Sequence, residues 1–162
     1  MGKKATKAAD NIYCMARYEA ASGNPDFDSR ENAAQILGID RTRLARIELG
    51  NITPYPEEVY QMAKTYNTPE LCNSHCATMC PIGRDNIKKV DISDFDRLVL
   101  KVLGSLKNID ELRASLISLC EDGTISKSEE QEFFTILDSL DKISQNATAL
   151  KLWAQKNISI EE

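Results

Sequence analysis

Three arginines and a threonine fall within six residues, close enough to share one short helix. Arg41, Thr42, Arg43 and Arg46 stand there with no lysine among them. The arginine guanidinium is planar and can donate two parallel hydrogen bonds to O6 and N7 of guanine. The cluster therefore has the chemistry of a helix that reads the major groove of DNA. The alternative is a solvated helix face with ordinary surface charge, and residue types alone leave both interpretations open.

A second cluster combines three of the five cysteines with the only histidine. Cys72, His75, Cys76 and Cys80 lie within nine residues, and Cys80-Pro81 resembles the end of an iron–sulfur ligand run. In a helix, the three cysteines span about 12 Å, so a single ion reaches all three only if the helix unwinds near Cys80. We therefore expect no metal and no cofactor, and favour a stripe of small residues packed inward. A zinc or iron–sulfur site is the alternative.

The segment around the arginines has the signals of two short helices joined by a tight turn. Gly38 stands where the first helix would end with a positive φ angle. Asp40 is placed to cap the second helix, from which Leu44 and Ile47 turn inward together. Gly50 closes that helix. This arrangement buries one face of the second helix and leaves the arginines on the other.

The pattern Ala-x3-Gly-Ile-x4-Leu-x2-Ile-Glu-x-Gly, from Ala34 to Gly50, resembles the helix-turn-helix of the lambda-repressor and Cro type, the XRE family. The apolar stretch from Pro56 to Tyr66 is similar to that family's fourth helix, and the resemblance covers about residues 9–70. It implies a sequence-specific DNA-binding transcriptional regulator. By position, it implies base contacts from Arg41, Thr42 and Arg46. It implies phosphate contacts from Arg30, Arg43 and Asn51.

The chain changes character from Ile92 onwards, where apolar residues recur at alternating intervals of four and three over about 28 residues. After a turn at 121–124, Ser126 and Glu129 form a capping box that starts a second amphipathic helix. Two such helices make an antiparallel hairpin whose wide apolar face must pack on the first domain, on a second copy or on another partner. Since one helix-turn-helix unit usually reads DNA as a dimer, we expect homodimerisation through this hairpin. The expected contact residues are Val99, Val102, Leu106, Ile109, Phe133, Leu140 and Ile143.

The expected fold is therefore all-α, with a five-helix lambda-repressor-like DNA-binding domain followed by a long antiparallel helical hairpin. The DNA-binding domain is expected at residues 1–82, and its fifth helix carries the cysteines. A linker follows at residues 83–91, and the hairpin occupies residues 92–162.

Charge and composition limit the partners. The net charge is −5, made up of +1 over residues 1–90 and −6 over residues 91–162, so the acidity belongs to the second half. DNA affinity depends on local positive charge, and the DNA-binding half is close to neutral with its positive charges clustered. No apolar run approaches the roughly 20 residues of a membrane span. The lysine-bearing residues 1–10 lack the apolar core of a signal peptide, so we expect a cytoplasmic protein.

The chain carries no recognisable constellation of catalytic residues, and we expect that it is not an enzyme. The expected partners are double-stranded DNA and a second copy of the chain, with no membrane. The alternative is a protein-interaction module that uses its helix-turn-helix to bind a protein partner rather than DNA.

Overall fold

The structure is a computed structural model that describes residue 8, residues 10–119 and residues 124–158. Regular secondary structure in these residues is entirely helical, which confirms the expected all-α class. The chain divides into two compact units, the first ending at Lys89 and the second running from Val90 to Ile158. Within the described ranges, no helix is both long and apolar enough to cross a membrane. Most of the expected basic arm and of the turn at 121–124 lies outside the described residues.

The first unit packs its helices around one apolar core. In chain order they are α1 (Ile12–Ala21), a 3-10 turn (Pro25–Asp28), α2 (Arg30–Leu37), α3 (Arg41–Glu48), α4 (Pro56–Thr65), α5 (Glu70–Thr78) and α6 (Pro81–Asn86). Core residues come from α1 to α5 and from the 3-10 turn, and the largest fully buried apolar ones are Leu44, Ile47, Met62 and Val59. Burial of this shared core fixes α3 against the rest of the unit.

The turn between α2 and α3 forms as the sequence predicts. Gly38 has a φ of 67°, and the N–H of Ile39 donates to the carbonyl of Ala34 at 3.0 Å, which satisfies the end of α2. The Asp40 carboxylate accepts from the N–H of Arg43 at 2.9 Å and so caps α3. Gly50 follows α3 with a φ of 73°. These contacts confirm both helix boundaries.

Two boundaries of the first unit differ from expectation. Apolar residues at helical spacing predict a first helix over residues 6–22, but α1 begins at Ile12, because the Asn11 side chain accepts from the N–H groups of Tyr13 and Cys14 and caps it there. The expected linker at 83–91 begins as helix instead, since α6 continues to Asn86. Gly83 makes this possible: a Cβ at that position would lie 2.0 Å from the carbonyl oxygen of Cys76 on α5. Only a glycine lets α6 approach α5 so closely.

In its described residues, the second unit contains three helices where two were expected. They are α7 (Phe95–Leu106), α8 (Ile109–Leu119) and α9 (Glu130–Asn157). The break at 107–108 interrupts the continuous apolar seam that the heptad pattern predicts. Ser126 donates from its N–H and its hydroxyl to Glu129 Oε2, at 2.8 and 2.5 Å, but α9 begins only at Glu130. The expected capping contact therefore forms in the turn before the helix.

Helix α9 runs antiparallel to α7. The rings of Phe95, at the start of α7, and Trp153, near the end of α9, have centroids 4.7 Å apart. Further along, the Asn146 amide donates to the carbonyl of Lys101 at 3.1 Å. The core of this unit is small: Val90, Leu98 and Ala149 are buried together, with a few half-buried neighbours.

Candidate nucleic-acid interface

Helix α3 presents three of the expected DNA contacts to solvent. Because Leu44 and Ile47 anchor it to the core with no exposed surface, the opposite face points outward. Arg41, Thr42 and Arg46 are all exposed on that face. None of the three side chains forms an ion pair or a hydrogen bond with the described part of the chain. Their donors are free to bind a ligand.

A groove of about 420 Å³ joins this face of α3 to the start of α2. The Ser29 hydroxyl caps α2 by accepting from the N–H of Glu31 at 3.1 Å. A helix start carries partial positive charge and unsatisfied N–H groups, which favour anions. The side of the groove formed by the 3-10 turn and α2 includes Asp28, Ser29, Arg30 and Glu31, and the side formed by α3 includes Arg41, Thr42 and Ala45. The structure thus brings Arg30 and the exposed face of α3 to one surface.

Arg30 is held in place by a buried ion-pair network that sequence reasoning missed. Glu48, with no exposed surface, accepts from Arg17 Nε at 2.6 Å and from Arg17 Nη2 at 3.1 Å. The second oxygen of Glu48 also accepts from Arg30 Nε at 2.5 Å. Arg17, itself 1% exposed, completes its hydrogen bonds at the carbonyls of Phe27 and Asp28. One carboxylate therefore connects α1, the 3-10 turn, α2 and α3.

The network leaves positive charge at the surface. Two guanidinium groups share the single carboxylate of Glu48, so the three side chains carry a net charge of +1. Arg17 is buried, while the Arg30 side chain remains 30% exposed, so the excess charge is accessible at the start of α2. The signal in the sequence was Glu48 itself, an acidic residue within an arginine-rich helix, at a position of the pattern that faces inward.

The resemblance implies that Arg43 contacts a phosphate, but in the structure its side chain is paired within the chain. Its Nε and Nη2 donate to the two carboxylate oxygens of Glu58 at 2.5 and 2.8 Å, and its guanidinium lies 4.4 Å from the centre of the Tyr55 ring. Glu58 also accepts from the N–H of Tyr55 at 2.7 Å. The hydrogen bond from Arg43 holds the pKa of Glu58 below its usual value. Asn51, the remaining expected phosphate contact, is exposed after α3.

In the cysteine and histidine cluster, His75 forms a hydrogen bond within the chain and the three cysteines are free thiols. His75 is buried, and its Nδ1 lies 2.7 Å from the hydroxyl of Tyr13. Helix α5 ends at Thr78, so Cys80 sits in the turn before α6, and Cys72, Cys76 and Cys80 are each half-buried. Among the described residues, no three His, Cys, Asp or Glu side chains are placed to hold a metal ion.

The expected dimer contacts fall into two groups in the second unit, half-buried residues and exposed ones. Four of them are half-buried: Val99, Val102, Phe133 and Ile143. Leu106, Ile109 and Leu140 remain exposed. A further set of exposed apolar residues, absent from the expected contacts, includes Leu103 and Phe134. The heptad pattern did not predict these contacts, because it assigns a single apolar stripe to each helix.

The arrangement in the first unit can bind a polyanion by shape as well as by charge. Two unpaired guanidinium groups and a hydroxyl project from α3, and a third guanidinium stands at the start of α2. Such donors suit base edges and phosphate oxygens that lie side by side in a DNA groove. No protein-family model, curated protein or solved structure matches this chain.

Proposed function

We propose that the chain is a sequence-specific DNA-binding transcriptional regulator that acts as a homodimer. Helix α3 lies in the major groove, where Arg41 and Arg46 donate to base edges and Thr42 contacts a base or its methyl group. The start of α2, with Ser29 and Arg30, binds the neighbouring phosphate. The surface described above supports this function, since it has the residue types and the helix arrangement that groove reading requires.

One observation carries the proposal: the guanidinium groups on this surface divide into paired and unpaired ones. Arg17, Arg30 and Arg43 each bind a carboxylate of Glu48 or Glu58. Arg41 and Arg46 have no such partner among the described residues. A protein that needed arginine only for solubility has no reason to pair three guanidinium groups with carboxylates and leave two exposed on one face of a helix.

The phosphate contacts are revised accordingly. Arg30 uses Nε for Glu48, which leaves its terminal nitrogens for a phosphate, and Asn51 keeps the role that the resemblance implies. Arg43 acts instead as a positioning residue, because its contacts with Glu58 and Tyr55 join α3 to the start of α4. A joined α3–α4 corner holds the recognition helix at a fixed angle to the rest of the unit.

Homodimerisation accounts for the second unit. A single helix-turn-helix unit buries little surface on DNA, and two units joined by a dimer read two half-sites about one helical turn apart. The second unit exposes many large apolar side chains, which is typical of a surface that binds another protein. We propose that this surface joins two copies.

The experiment that tests DNA binding is selection of bound sequences from random duplexes with the full chain. The enriched sites are then titrated by fluorescence anisotropy over a range of salt concentrations. We expect a two-fold symmetric site, and an affinity that falls as salt rises because phosphate contacts release counterions. Absence of an enriched sequence, together with no salt-sensitive binding to any duplex, would reject the proposal.

A specific observation favours a second candidate, a module that binds a basic segment of another protein. A groove of about 290 Å³ lies beside α3, and its lining combines Asp40, Glu57 and Glu58 with Arg43, which pairs with Glu58. Carboxylates next to the recognition helix repel DNA phosphate but attract lysine and arginine side chains. The same salt titration separates the two functions, because this candidate predicts no affinity for duplex DNA at low salt.

A further inference from the structure

The second unit has too small a core for its size. Between residues 99 and 148, the described part of the chain buries only Leu119 and Ile136. The better-packed residues all lie at the other end, where Val90, Leu98 and Ala149 meet. Three amphipathic helices with so few buried side chains leave most of their apolar surface in water. Something outside the unit must cover that surface.

The exposed apolar residues gather on one side of the helices. On α9, Phe134, Leu137 and Leu140 follow each other at intervals of three, and on α7 Leu100, Leu103 and Leu106 do the same. Each set spans roughly 120° of its helix surface at 100° per residue. We call these six residues the apolar face.

A groove between the helices lies beside these two sets. This groove, of about 420 Å³, is lined by polar residues that include Thr135 and Ser139 on α9 and Ser105 on α7, and by apolar residues that include Ile109 and Ile136. At 100° per residue, Thr135 and Ser139 lie on one side of the buried Ile136, and Leu137 and Leu140 on the other. The same construction around the buried Leu98 of α7 separates Ser105 from Leu103 and Leu106. Because α7 and α9 are antiparallel, both apolar sets lie on the same side of the helix pair.

We infer that the apolar face is the surface through which two copies of the chain associate. The inference deepens the homodimer part of the proposed function and rests on it, and it replaces most of the contacts expected from the heptad pattern. Of those contacts, Leu106 and Leu140 belong to the apolar face. Ile109 lines the groove between the helices, and the other four are half-buried.

The area of the face agrees with a dimer of this kind. Leu103 is 60% exposed and Phe134 is 62% exposed, and the other four residues range from 38% to 68%. With roughly half of a surface on the order of 200 Å² exposed on each, the six side chains offer about 600 Å² per copy. A stable interface buries roughly 600–1,000 Å² on each partner, about three-fifths of it apolar. A patch of that size lies at the upper end of the roughly 300–600 Å² that the largest apolar patch of a typical monomer covers, and such patches are often functional.

Charge gives the dimer a recognisable salt dependence. Residues 91–162 carry a net charge of −6, so two copies repel each other as they approach. Salt screens this repulsion and strengthens apolar association, so the dimer tightens as the salt concentration rises. A basic helix of another protein on the same face would instead dissociate with salt. The direction of the salt effect thus distinguishes a second copy from the other plausible occupant.

The test measures the oligomeric state of the full chain by sedimentation equilibrium at micromolar concentration. We expect the parent chain, of 18.1 kDa, to sediment as a dimer, and Leu103→Gln combined with Phe134→Gln to weaken association by about 100-fold or more. Both side chains are exposed within one copy, so their loss leaves the monomer folded, as circular dichroism will show. Matched controls are Ser139→Gln, on the groove side of α9, and Ile82→Gln, an exposed apolar residue of the first unit. Both controls should associate like the parent chain.

A monomeric parent chain, or a double variant that associates as tightly as the parent, would overturn the inference. So would association that weakens from roughly 50 to 500 mM salt. DNA binding fails or succeeds separately. If the double variant is monomeric and still binds a single half-site, both proposals are supported. If the parent dimer binds no DNA and the double variant disrupts that dimer, only the proposal for the apolar face is supported.

Discussion

The carboxylate of Glu58 binds the guanidinium of Arg43 through both of its oxygens, at 2.5 Å from Nε and 2.8 Å from Nη2. A DNA phosphate offers arginine the same pair of acceptors. Glu58 therefore occupies the place that the phosphate would take, and Arg43 binds within its own chain. The consequence is that Arg43 adds no net positive charge to the surface that we propose binds DNA.

Removal of the Glu58 charge should release Arg43 for DNA. We expect Glu58→Gln to raise the affinity for all duplex sequences alike and to steepen the salt dependence by about one phosphate contact. The variant should also be less stable, since Arg43 and the N–H of Tyr55 both lose a charged acceptor. Fluorescence anisotropy on selected and scrambled duplexes measures the first effect, and urea unfolding the second. Glu57→Gln, the adjacent acidic residue of α4, is the control, and equal gains for both variants would contradict this assignment.

The ion pair between Arg43 and Glu58 makes the free energy of unfolding depend on pH. The pKa of Glu58 is lower in the folded chain than in the unfolded chain, where it is about 4.3. The contribution of Glu58 to the free energy of unfolding is therefore complete above about pH 4.3 and is lost as the pH falls through the pKa of the folded chain. Urea unfolding from pH 6 downwards should show the parent losing stability more steeply than Glu58→Gln. Parallel curves for the two chains would mean that the ion pair adds nothing to the fold.

Base reading should depend on Arg46. We expect Arg46→Ala to cost about 1–3 kcal/mol on the selected site and to relax the preference at one base pair, because a bidentate contact is lost there. The matched control is Arg84→Ala, which removes an exposed arginine from α6 in the same unit. Binding should be close to that of the parent for the control. A uniform loss over all sequences would instead identify Arg46 as a phosphate contact.

The network around Glu48 should behave as a buried ion pair. Arg17→Met leaves the carboxylate of Glu48 with only Arg30, and we expect a loss of about 3–5 kcal/mol in the free energy of unfolding. Adding Glu48→Leu to Arg17→Met removes the buried carboxylate that has lost its bidentate partner, so the double variant should be more stable than the single one. Urea unfolding of the three chains measures this difference. A double variant less stable than Arg17→Met would show that Glu48 is stabilised mainly by other contacts.

Because Tyr13 and His75 are both buried, we expect the free energy of unfolding to be highest between two pH limits. Burial lowers the pKa of His75, so stability should fall below about pH 6.5, where the unfolded histidine binds a proton more readily. Burial also raises the pKa of Tyr13 to about 12, so stability should fall above about pH 10, where the unfolded tyrosine ionises first. Tyr13→Phe should weaken the alkaline loss and cost about 1–3 kcal/mol at neutral pH, because His75 Nδ1 loses its partner. Tyr66, also buried, keeps its own contribution in both chains, so the difference between the two pH curves isolates Tyr13.

Two glycines should respond in opposite directions to replacement by alanine. At Gly83 the new Cβ would lie 2.0 Å from a carbonyl oxygen of α5, so we expect a loss of about 1–3 kcal/mol as α6 is displaced. At Gly104, inside α7, a Cβ meets nothing within 4 Å, and alanine should stabilise the chain by about 0.5–1 kcal/mol. Urea unfolding measures both variants. A neutral Gly83→Ala would mean that α6 moves away from α5 without cost.

Sequence reasoning succeeded where the determining contacts are local. The φ angle of Gly38, the cap at Asp40 and the inward turn of Leu44 and Ile47 all depend on residues within five positions of each other. The arginine face of α3 follows from the same local pattern. The identity of the base and phosphate contacts, in contrast, stays a prediction.

Contacts between distant residues were beyond such reasoning. Arg43 and Glu58 are 15 positions apart, and Arg17 and Glu48 are 31 apart, so no short spacing indicates that they pair. The apolar face was missed for another reason. Leu103 and Phe134 lie outside the heptad seam of their helices, and periodicity reports one stripe where these helices carry a broader apolar surface.

The hydrogen bond between Tyr13 and His75 limits how short a fragment of the first unit can be and still fold. It joins the first helix to the fifth across 62 positions, and Leu71 of the fifth helix belongs to the same core. A fragment cut after α4 would keep the whole of α3 yet expose the inner surface of α1, with the Tyr13 hydroxyl left without its hydrogen-bond partner. The part that we propose binds DNA therefore extends at least to the end of α5, eight residues past the stretch that resembles a helix-turn-helix domain.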